Sequence, residues 1–358
     1  MGCFLVYHIE VVITFRGCLE ERDKIMLVAY LDVLGFSELI KQDAIKANDV
    51  LCMIQNRMQT FFTDDKTHPQ DEFEANNPKD SWKLSLRSRP TTFDYFINAS
   101  DSVVIISKDD NPLFMRNLSH FMSTVFMLSA KPFQKSFLDV KDVKSDFFFD
   151  WHGSNLYPHK AVPVLLRGGI AQGKKIYISE IRNIIDKTPE RAWNISGETF
   201  LRAVKSESRG KGPRLFCDKS IVEWINQLSY HETEDLKKMI RKAGEGDDES
   251  YELVWTIDAC ESDFGSTRGT SISHLEDNVT RSIEENLFPP AKNICEAHRS
   301  DNEDVFKHYE EFMYLIVNGI LQYARKNKLD NIKKVEKDLL KEMEGMNLKL
   351  EKYIFMRE

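Results

Sequence analysis

Apolar residues occur both in continuous runs and at helical spacing, and this pattern predicts a mixture of strands and helices. Residues 27–31 form a continuous apolar run that ends at Asp32 and a glycine turn, as a buried strand does. Over residues 36–62 apolar side chains recur at helical spacing, which predicts one long helix with one face on a sheet. Apolar runs at 93–97 and 103–107 flank a polar break and predict a β-hairpin.

The second half of the chain continues the mixture of predicted strands and helices and then becomes mainly helical. Residues 131–160 are irregular and aromatic-rich, as in an insertion, and residues 275–352 are predominantly helical. We expect strands 163–171 and 175–179 to pair with each other around residues 172–174. The remaining predicted elements are helices at 111–130, 196–206 and 219–228 and a strand at 213–217.

The order of these elements predicts an α+β fold with helices on one face of a mainly antiparallel sheet. We divide the chain into an N-terminal extension (1–25), a main α+β domain (26–230) and a mainly helical C-terminal region (231–358). Met26 is an alternative start of the protein. Apolar residues at helical spacing over 332–350 fit either a short coiled coil or a helix packed on its own domain, and Gly345 favours the second.

Composition indicates a globular protein and narrows the classes of partner. The chain has 358 residues, of which 42% are hydrophobic and 30% charged, as in soluble proteins. A formal charge of −8 argues against a broad nucleic-acid-binding surface, so an anionic substrate requires a local basic patch. The apolar stretch at 3–15 is too short to span a bilayer, and the sequence predicts no membrane span. The six scattered cysteines favour reduced thiols in a cytoplasmic protein over a zinc site.

Asp32 is the first candidate functional residue because it directly follows a buried strand. A carboxylate there is costly unless it binds a metal ion, a partner charge or a helix N-terminus. The simpler alternative is that Asp32 caps the helix that starts near Phe36. Both roles are compatible, because the backbone amides of Leu34, Gly35 and Phe36 would also face an anion.

Asp101 is the second candidate, in the polar break Ser100-Asp101-Ser102 of the predicted hairpin. Such a segment alone is typical of any tight turn. Together with Asp32, however, it predicts a site for Mg²⁺ or Mn²⁺, because hard cations need few carboxylates when phosphates and water complete the coordination. Basic residues that could compensate triphosphate charge, or simply be solvated, follow at Lys174, Lys175, Lys205, Arg209, Lys211 and Arg214.

Four segments, in this order, resemble the motifs of a class III nucleotide cyclase domain, and the resemblance covers about residues 26–220. They are Asp32 to Phe36, Asp101-Ser102, Arg167 to Gly173 and Gly197 to Ala203. Within that superfamily, three features resemble the pyrimidine cyclases of bacterial Pycsar antiphage systems. These are Ser-Asp-Ser at 100–102, the paired glycines after Arg167, and Glu207 followed by Pro213-Arg214-Leu215.

The resemblance implies specific roles for the metal-binding and phosphate-binding residues. Asp32, Asp101 and the Val33 carbonyl would bind two metal ions, and the segment Val33 to Phe36 would hold phosphates, with Arg167 also binding the nucleotide. The transition-state Asn and Arg of the family align with Leu201 and Lys205. Lys205 could neutralise phosphate charge, whereas a substitute for the Asn would be Arg202, Lys211 or a residue from an insertion.

The base-recognition positions of the family align with Ile97 and Asn194. Purine cyclases carry a charged residue at the first position and often Asp at the second, so this pair fits a pyrimidine better, since an amide both donates and accepts hydrogen bonds. The resemblance therefore implies a homodimeric lyase, with sites at the interface, that converts UTP (CTP is less favoured) to a 3′,5′-cyclic nucleotide in antiphage defence. The alternatives are a purine nucleotide cyclase and a degenerate domain that only binds nucleotides.

Overall fold

The structure is a computed structural model. It describes residues 19–22, 24–63, 92–130, 146–149, 156–159, 163–182, 189–229, 236–243, 250–261 and 272–348. Most of the predicted extension 1–25 and most of the predicted insertion 131–160 lie outside the described residues.

Strands within the described residues form three sheets. They are β1 (Leu19–Arg22), β2 (Met26–Val33), β3 (Phe93–Ala99), β4 (Ser102–Ser107), β5 (Asp146–Phe149), β6 (Leu156–His159), β7 (Leu166–Gly173), β8 (Ile176–Arg182), β9 (Pro189–Ser196), β10 (Leu215–Cys217), β11 (Ile240–Lys242) and β12 (Tyr251–Leu253). The central sheet has seven strands in the order β11-β12-β10-β7-β2-β4-β3. Its neighbouring strands are antiparallel except for β7 and β10, which are parallel. The predicted α+β class with a mainly antiparallel sheet is confirmed.

The α-helices lie between and after these strands. They are α1 (Phe36–Gln42), α2 (Ala44–Thr63), α3 (Leu113–Ala130), α4 (Glu198–Glu207), α5 (Lys219–Gln227), α6 (Thr256–Glu261), α7 (Ile272–Arg281), α8 (Phe288–Ala297), α9 (Glu303–Lys326) and α10 (Ile332–Gly345). The single helix predicted over 36–62 is two helices, because Asp43 adopts extended backbone angles (φ −158°, ψ 92°). Helix α10 buries Val335, Leu339 and Met343 in the main core of its own chain. None of the described helices is long and apolar enough to cross a membrane.

Strand β2 separates two apolar clusters because its side chains alternate between the faces of the sheet. Leu27, Ala29, Leu31 and Val33 belong to the large core with residues of α2, α3 and the C-terminal helices. Met26 and Val28 belong to a smaller cluster, which contains Ala203 of α4 and against which Tyr30 packs. Helices therefore cover both faces, and the prediction that they cover one face is wrong.

Two predictions about chain organisation differ from the structure. Strands β7 and β8 do not pair, because β2 and β10 already occupy both edges of β7. Strand β8 instead lies between β1 and β9 in a three-stranded sheet. The sheet also continues past the predicted boundary at residue 230, since β11 and β12 form its far edge.

Glycines in β7 allow helix α4 to lie directly on the strand. A Cβ added at Gly169 would clash with the carbonyl oxygen of Ala203 and lie 2.7 Å from the backbone nitrogen of Glu207. At Gly173 it would lie 2.6 Å from Nη2 of Arg202. Glycine is needed at these positions because a larger side chain would prevent α4 from packing on the sheet. The packing places the end of α4 over the first half of β7.

We expect Gly169→Ala to lower the free energy of unfolding by about 1 to 3 kcal/mol, because the new methyl group would push α4 off the sheet. Gly345→Ala is the matched control, since a Cβ there meets nothing within 4 Å. Its stability should stay the same or rise by up to about 1 kcal/mol, because alanine favours the helix. Urea unfolding of the two variants measures these free energies, and equal stabilities would contradict the direct packing of α4 on β7.

Candidate active site

Asp32 lies near the end of β2, between the two neighbouring strands of the sheet. It pairs with Ser102 of β4 on one side and with Arg167 of β7 on the other. Directly opposed residues in neighbouring strands point to the same face, so these three side chains meet on the face that α4 covers. The Asp32 side chain is 16% exposed, which leaves it mostly removed from water but accessible.

The Asp32 carboxylate accepts hydrogen bonds from both neighbouring strands. Ser102 Oγ donates to Oδ1 at 3.2 Å, and Arg167 Nε donates to Oδ2 at 3.1 Å. The Tyr30 hydroxyl is 2.7 Å from Ser102 Oγ, which extends the network along β2. Helix α1 has no side-chain cap, so the predicted capping role of Asp32 is wrong and the carboxylate serves this network instead.

Asp101 lies in the tight turn of the β3–β4 hairpin, next to the end of β2. Ser100, the preceding residue, has a φ of 60°, and the Val33 N–H donates to the Asp101 carbonyl at 3.1 Å. The Asp101 charge is close enough to raise the pKa of Asp32. Within the described part of the chain, the Asp101 carboxylate makes no hydrogen bond or ion pair. The hairpin therefore brings the two predicted aspartates together.

Arg167 holds two acidic side chains that come from different elements. Its Nε is 2.6 Å from Oε1 of Glu207, at the end of α4, as well as bonded to Asp32. Among the described residues, we find no hydrogen bond from its Nη1 or Nη2. The side chain is 30% exposed, so the outer edge of the guanidinium can reach a ligand.

Burial makes ionisation of both carboxylates difficult. It raises the pKa of Asp32, and the opposing effect of Arg167 is smaller; the Asp101 charge raises the pKa further. Burial also raises the pKa of Glu207, against the lowering effect of Arg167. Burial thus disfavours the charged form of both carboxylates, and the Arg167 guanidinium opposes that effect.

The donor set suits a hard divalent cation that is shared with a substrate. An ionised carboxylate has about four lone-pair sites, so Asp32 retains acceptor capacity beyond its two hydrogen bonds. Asp101 supplies a second carboxylate. No group of three or more His, Cys, Asp or Glu side chains in the described residues could hold a metal ion alone. These residues fit Mg²⁺ or Mn²⁺ whose remaining ligands are phosphate oxygens and water.

The predicted phosphate-binding segment from Val33 to Phe36 is in part already hydrogen-bonded. The Leu34 N–H donates to the Leu165 carbonyl at 2.9 Å, so the prediction that it faces an anion is wrong. Gly35 has a φ of 79° and precedes α1, as the predicted glycine turn requires. Phe36 is buried in the main core.

The predicted base-recognition residues do not contact Asp32 directly. Ile97 in β3 is opposite Val104, is 4% exposed, and packs into the smaller apolar cluster. Asn194 is exposed in β9, which belongs to the three-stranded sheet. No described contact joins either residue to Asp32.

Helix α4 carries the residues that align with the transition-state pair of the cyclases. Leu201 is 54% exposed, and Lys205, one turn further on, is exposed on the same side of the helix. The proposed substitutes are occupied elsewhere. Arg202 binds Asp218 at 3.1 Å and donates to the Gln172 carbonyl at 2.7 Å, and Lys211 is 2.6 Å from Asp304.

The predicted basic patch is largely used in internal ion pairs. Besides Lys211, these are Lys175 with Glu198, Arg209 with Asp218, and Arg214 with both Glu252 and Glu311. Lys174 and Lys205 differ, because neither ammonium group has an ion pair within the described residues.

Two residues of this network, Tyr30 and Glu207, are not among the predicted site residues. Tyr30 precedes Asp32 by two positions, so the strand period alone puts both on one face. Glu207 entered only through the family resemblance, and no local pattern indicates its pairing with Arg167, which depends on how α4 packs on β7.

Comparisons with known proteins give likenesses in structure only. No protein-family model matches the chain, and no curated protein matches its sequence. One similar solved structure is the dimeric guanylyl cyclase domain of the RhoGC fusion protein from the aquatic fungus Blastocladiella emersonii (11% identity, 66% of this chain, 97% of that chain, TM-score 0.35). Another is a monomeric adenylate cyclase from Trypanosoma brucei (13% identity, 66% of this chain, 91% of that chain, TM-score 0.35). A third is the guanylate cyclase domain of RhGC from Catenaria anguillulae in complex with GTP (11% identity, 65% of this chain, 98% of that chain, TM-score 0.33). At these values the likeness by itself establishes neither family nor activity.

We expect Arg167→Gln to lower the free energy of unfolding by about 1 to 3 kcal/mol near neutral pH, because it leaves two half-buried carboxylates without their cation. Their pKa values should rise further, so the folded variant binds protons more strongly than the unfolded chain. The loss of stability should therefore be largest above the carboxylate pKa values and shrink as the pH falls. Urea unfolding at about pH 8 and about pH 5 measures it. An equal loss at both pH values would show that Arg167 does not compensate these charges.

Proposed function

We propose that the protein is a metal-dependent nucleotide cyclase that forms a 3′,5′-cyclic nucleotide and diphosphate from a nucleoside triphosphate. One observation carries the proposal: Asp32 and Asp101 come together at one end of the sheet, beside a guanidinium with no described partner at its Nη atoms. The ordered motifs that resemble class III cyclases support the same function.

Each residue of the site would act on a different part of the substrate. Asp32 and Asp101 would hold Mg²⁺ or Mn²⁺, with the Val33 carbonyl as a further ligand, and the bound metal would favour deprotonation of the ribose 3′-hydroxyl and neutralise phosphate charge. Arg167 would orient the phosphates through its Nη groups, because guanidinium donors match phosphate oxygens in pairs. Lys205 would balance the charge of the departing diphosphate.

We further propose that the substrate is a pyrimidine nucleotide, with UTP favoured over CTP, and that the product is an antiphage second messenger. Support for the pyrimidine comes from the family resemblance, which aligns the uncharged residues Ile97 and Asn194 with the base-recognition positions; Asn194 is exposed, whereas Ile97 is buried. Support for a homodimer comes from Lys205 and Asn194, which are exposed and have no described contact with Asp32. A second copy of the chain would supply both residues to each site.

Substrate selectivity is tested with purified protein and Mn²⁺ in four parallel reactions with UTP, CTP, ATP and GTP. We expect cyclic UMP as the main product, identified by chromatography and mass spectrometry, together with diphosphate. A cyclic purine nucleotide as the sole product would overturn the pyrimidine proposal and leave the cyclase proposal intact.

The role of the paired aspartates is tested with Asp32→Ala and Asp101→Ala. Each should lower kcat by more than about a hundred-fold, because loss of a metal ligand removes several kcal/mol of transition-state stabilisation. Asp110→Ala is a matched control in an exposed position beyond β4, and its activity should be unchanged. Circular dichroism and size-exclusion chromatography establish that the variants remain folded and keep their oligomeric state.

A degenerate domain that only binds nucleotides is the second candidate, and the apolar, 54% exposed Leu201 favours it. An alkyl side chain at this position cannot orient a ribose by hydrogen bonding. Nucleotide binding by the unsubstituted protein without any cyclic product would support this candidate over the cyclase.

A further inference from the structure

The loop at residues 208–214, which joins α4 to β10, is held by the C-terminal helix α9. Three residues on one side of α9, spaced four and three positions apart, contact three residues of the loop. The Lys211 ammonium is 2.6 Å from Asp304 Oδ1, the Gly212 N–H donates to His308 Nδ1 at 2.9 Å, and Arg214 Nη1 is 3.4 Å from Glu311 Oε2.

The middle contact requires a glycine in the loop. Gly212 has a φ of 87°, which side chains rarely adopt. A Cβ added there would lie 2.9 Å from Cβ of Glu311 and 3.1 Å from the carbonyl oxygen of His308. The backbone of the loop thus lies directly against α9, and the imidazole is the acceptor for its N–H group.

This loop begins next to the candidate active site. Glu207, the last residue of α4, immediately precedes the loop and forms the ion pair with Arg167. Burial lowers the pKa of His308, and the charge of the Arg167 guanidinium lowers it further. Helix α9 therefore holds the loop that directly follows Glu207, and Glu207 is the ion-pair partner of Arg167.

We propose that His308 is a positioning residue for the nucleotide site: by accepting the Gly212 N–H it holds the loop, and through the loop the Glu207–Arg167 pair. This role rests on the proposed cyclase function for its catalytic consequence. It assigns the C-terminal helical region a part in activity, because the region supports the site from within the same chain.

The hydrogen bond requires a neutral imidazole, because a protonated Nδ1 cannot accept. The charges of Arg167 and Lys211 disfavour protonation of the ring, whereas those of Asp304 and Glu311 favour it. Burial is the largest effect, and together these groups lower the pKa of His308. The unfolded chain then binds the proton more strongly, so this contribution to stability is present above a pH of about 6.5 and is lost as the pH falls through the folded-state pKa.

Two substitutions of His308 by side chains of similar size distinguish its role as a hydrogen-bond acceptor from the effect of its protonation. In His308→Asn, the amide oxygen takes the place of Nδ1 and does not titrate; His308→Leu has no acceptor. Lys307→Ala, exposed at the neighbouring position of α9, is the control. The steady-state rate with UTP and Mn²⁺ is measured from about pH 5.5 to about pH 8.5. The NMR signal of the Arg167 Nε–H group and urea unfolding are recorded in parallel.

For His308→Leu we expect kcat/KM to fall between about ten- and a hundred-fold at alkaline pH, because the phosphate-binding guanidinium is misplaced. The Arg167 signal should shift in this variant. His308→Asn should retain activity to within about three-fold at alkaline pH and should lose less activity and stability on acidification than the unsubstituted protein. An unshifted Arg167 signal in His308→Leu, with unchanged activity and the same acid dependence in all variants, would overturn the proposal.

The readouts distinguish this proposal from the cyclase proposal. If the unsubstituted protein forms no cyclic nucleotide at any pH, the proposed function fails, and the Arg167 signal and unfolding curves still decide whether His308 positions the loop. If the unsubstituted protein is active but the Arg167 signal and the pH dependence do not respond to His308, only the positioning role fails.

Discussion

The register of β2 between β4 and β7 is the constraint on which the candidate site depends. It places Asp32 opposite Ser102 on one side and Arg167 on the other, and these residues bond to its two carboxylate oxygens. A slip by one residue would turn Asp32 into the main core and Leu31 toward α4. The apolar alternation of β2 opposes such a slip, because each face of the strand packs in its own apolar cluster. The same packing that stabilises the sheet therefore aligns the polar network.

Charge compensation then links this network to more distant elements. Asp32 comes from a strand and Glu207 from the end of a helix, and the Arg167 guanidinium lies against both and favours their charged forms. Because Glu207 precedes the loop held by α9, the C-terminal helices are mechanically connected to the site. The glycines of β7 determine how closely α4 packs on the sheet, and the ion pairs of Arg167 orient the side chains of Asp32 and Glu207.

Much of the fold was predictable because its elements have strong local patterns. The strand before Asp32, the hairpin around Asp101 and helices α3 and α5 lie close to their predicted places. The break at Asp43 was missed, since apolar spacing continues across it. The pairing of β7 with β8 was wrong because proximity in sequence indicates a hairpin, whereas β2 and β10 already flank β7.

The sequence by itself determined which residues carry the candidate chemistry: two aspartates at the ends of apolar strands, a glycine-rich strand that contains Arg167, and a helix that starts after Gly197. Those features are local, because strand composition, turn residues and helix starts depend on near neighbours. Only the tertiary structure decided their partners. It paired Arg167 with Asp32 and Glu207, used Arg202 and Lys211 in internal contacts, and placed His308 against the loop that follows Glu207. Such pairings join residues far apart in the chain, and they follow from how α4 and α9 pack rather than from any periodicity of the sequence.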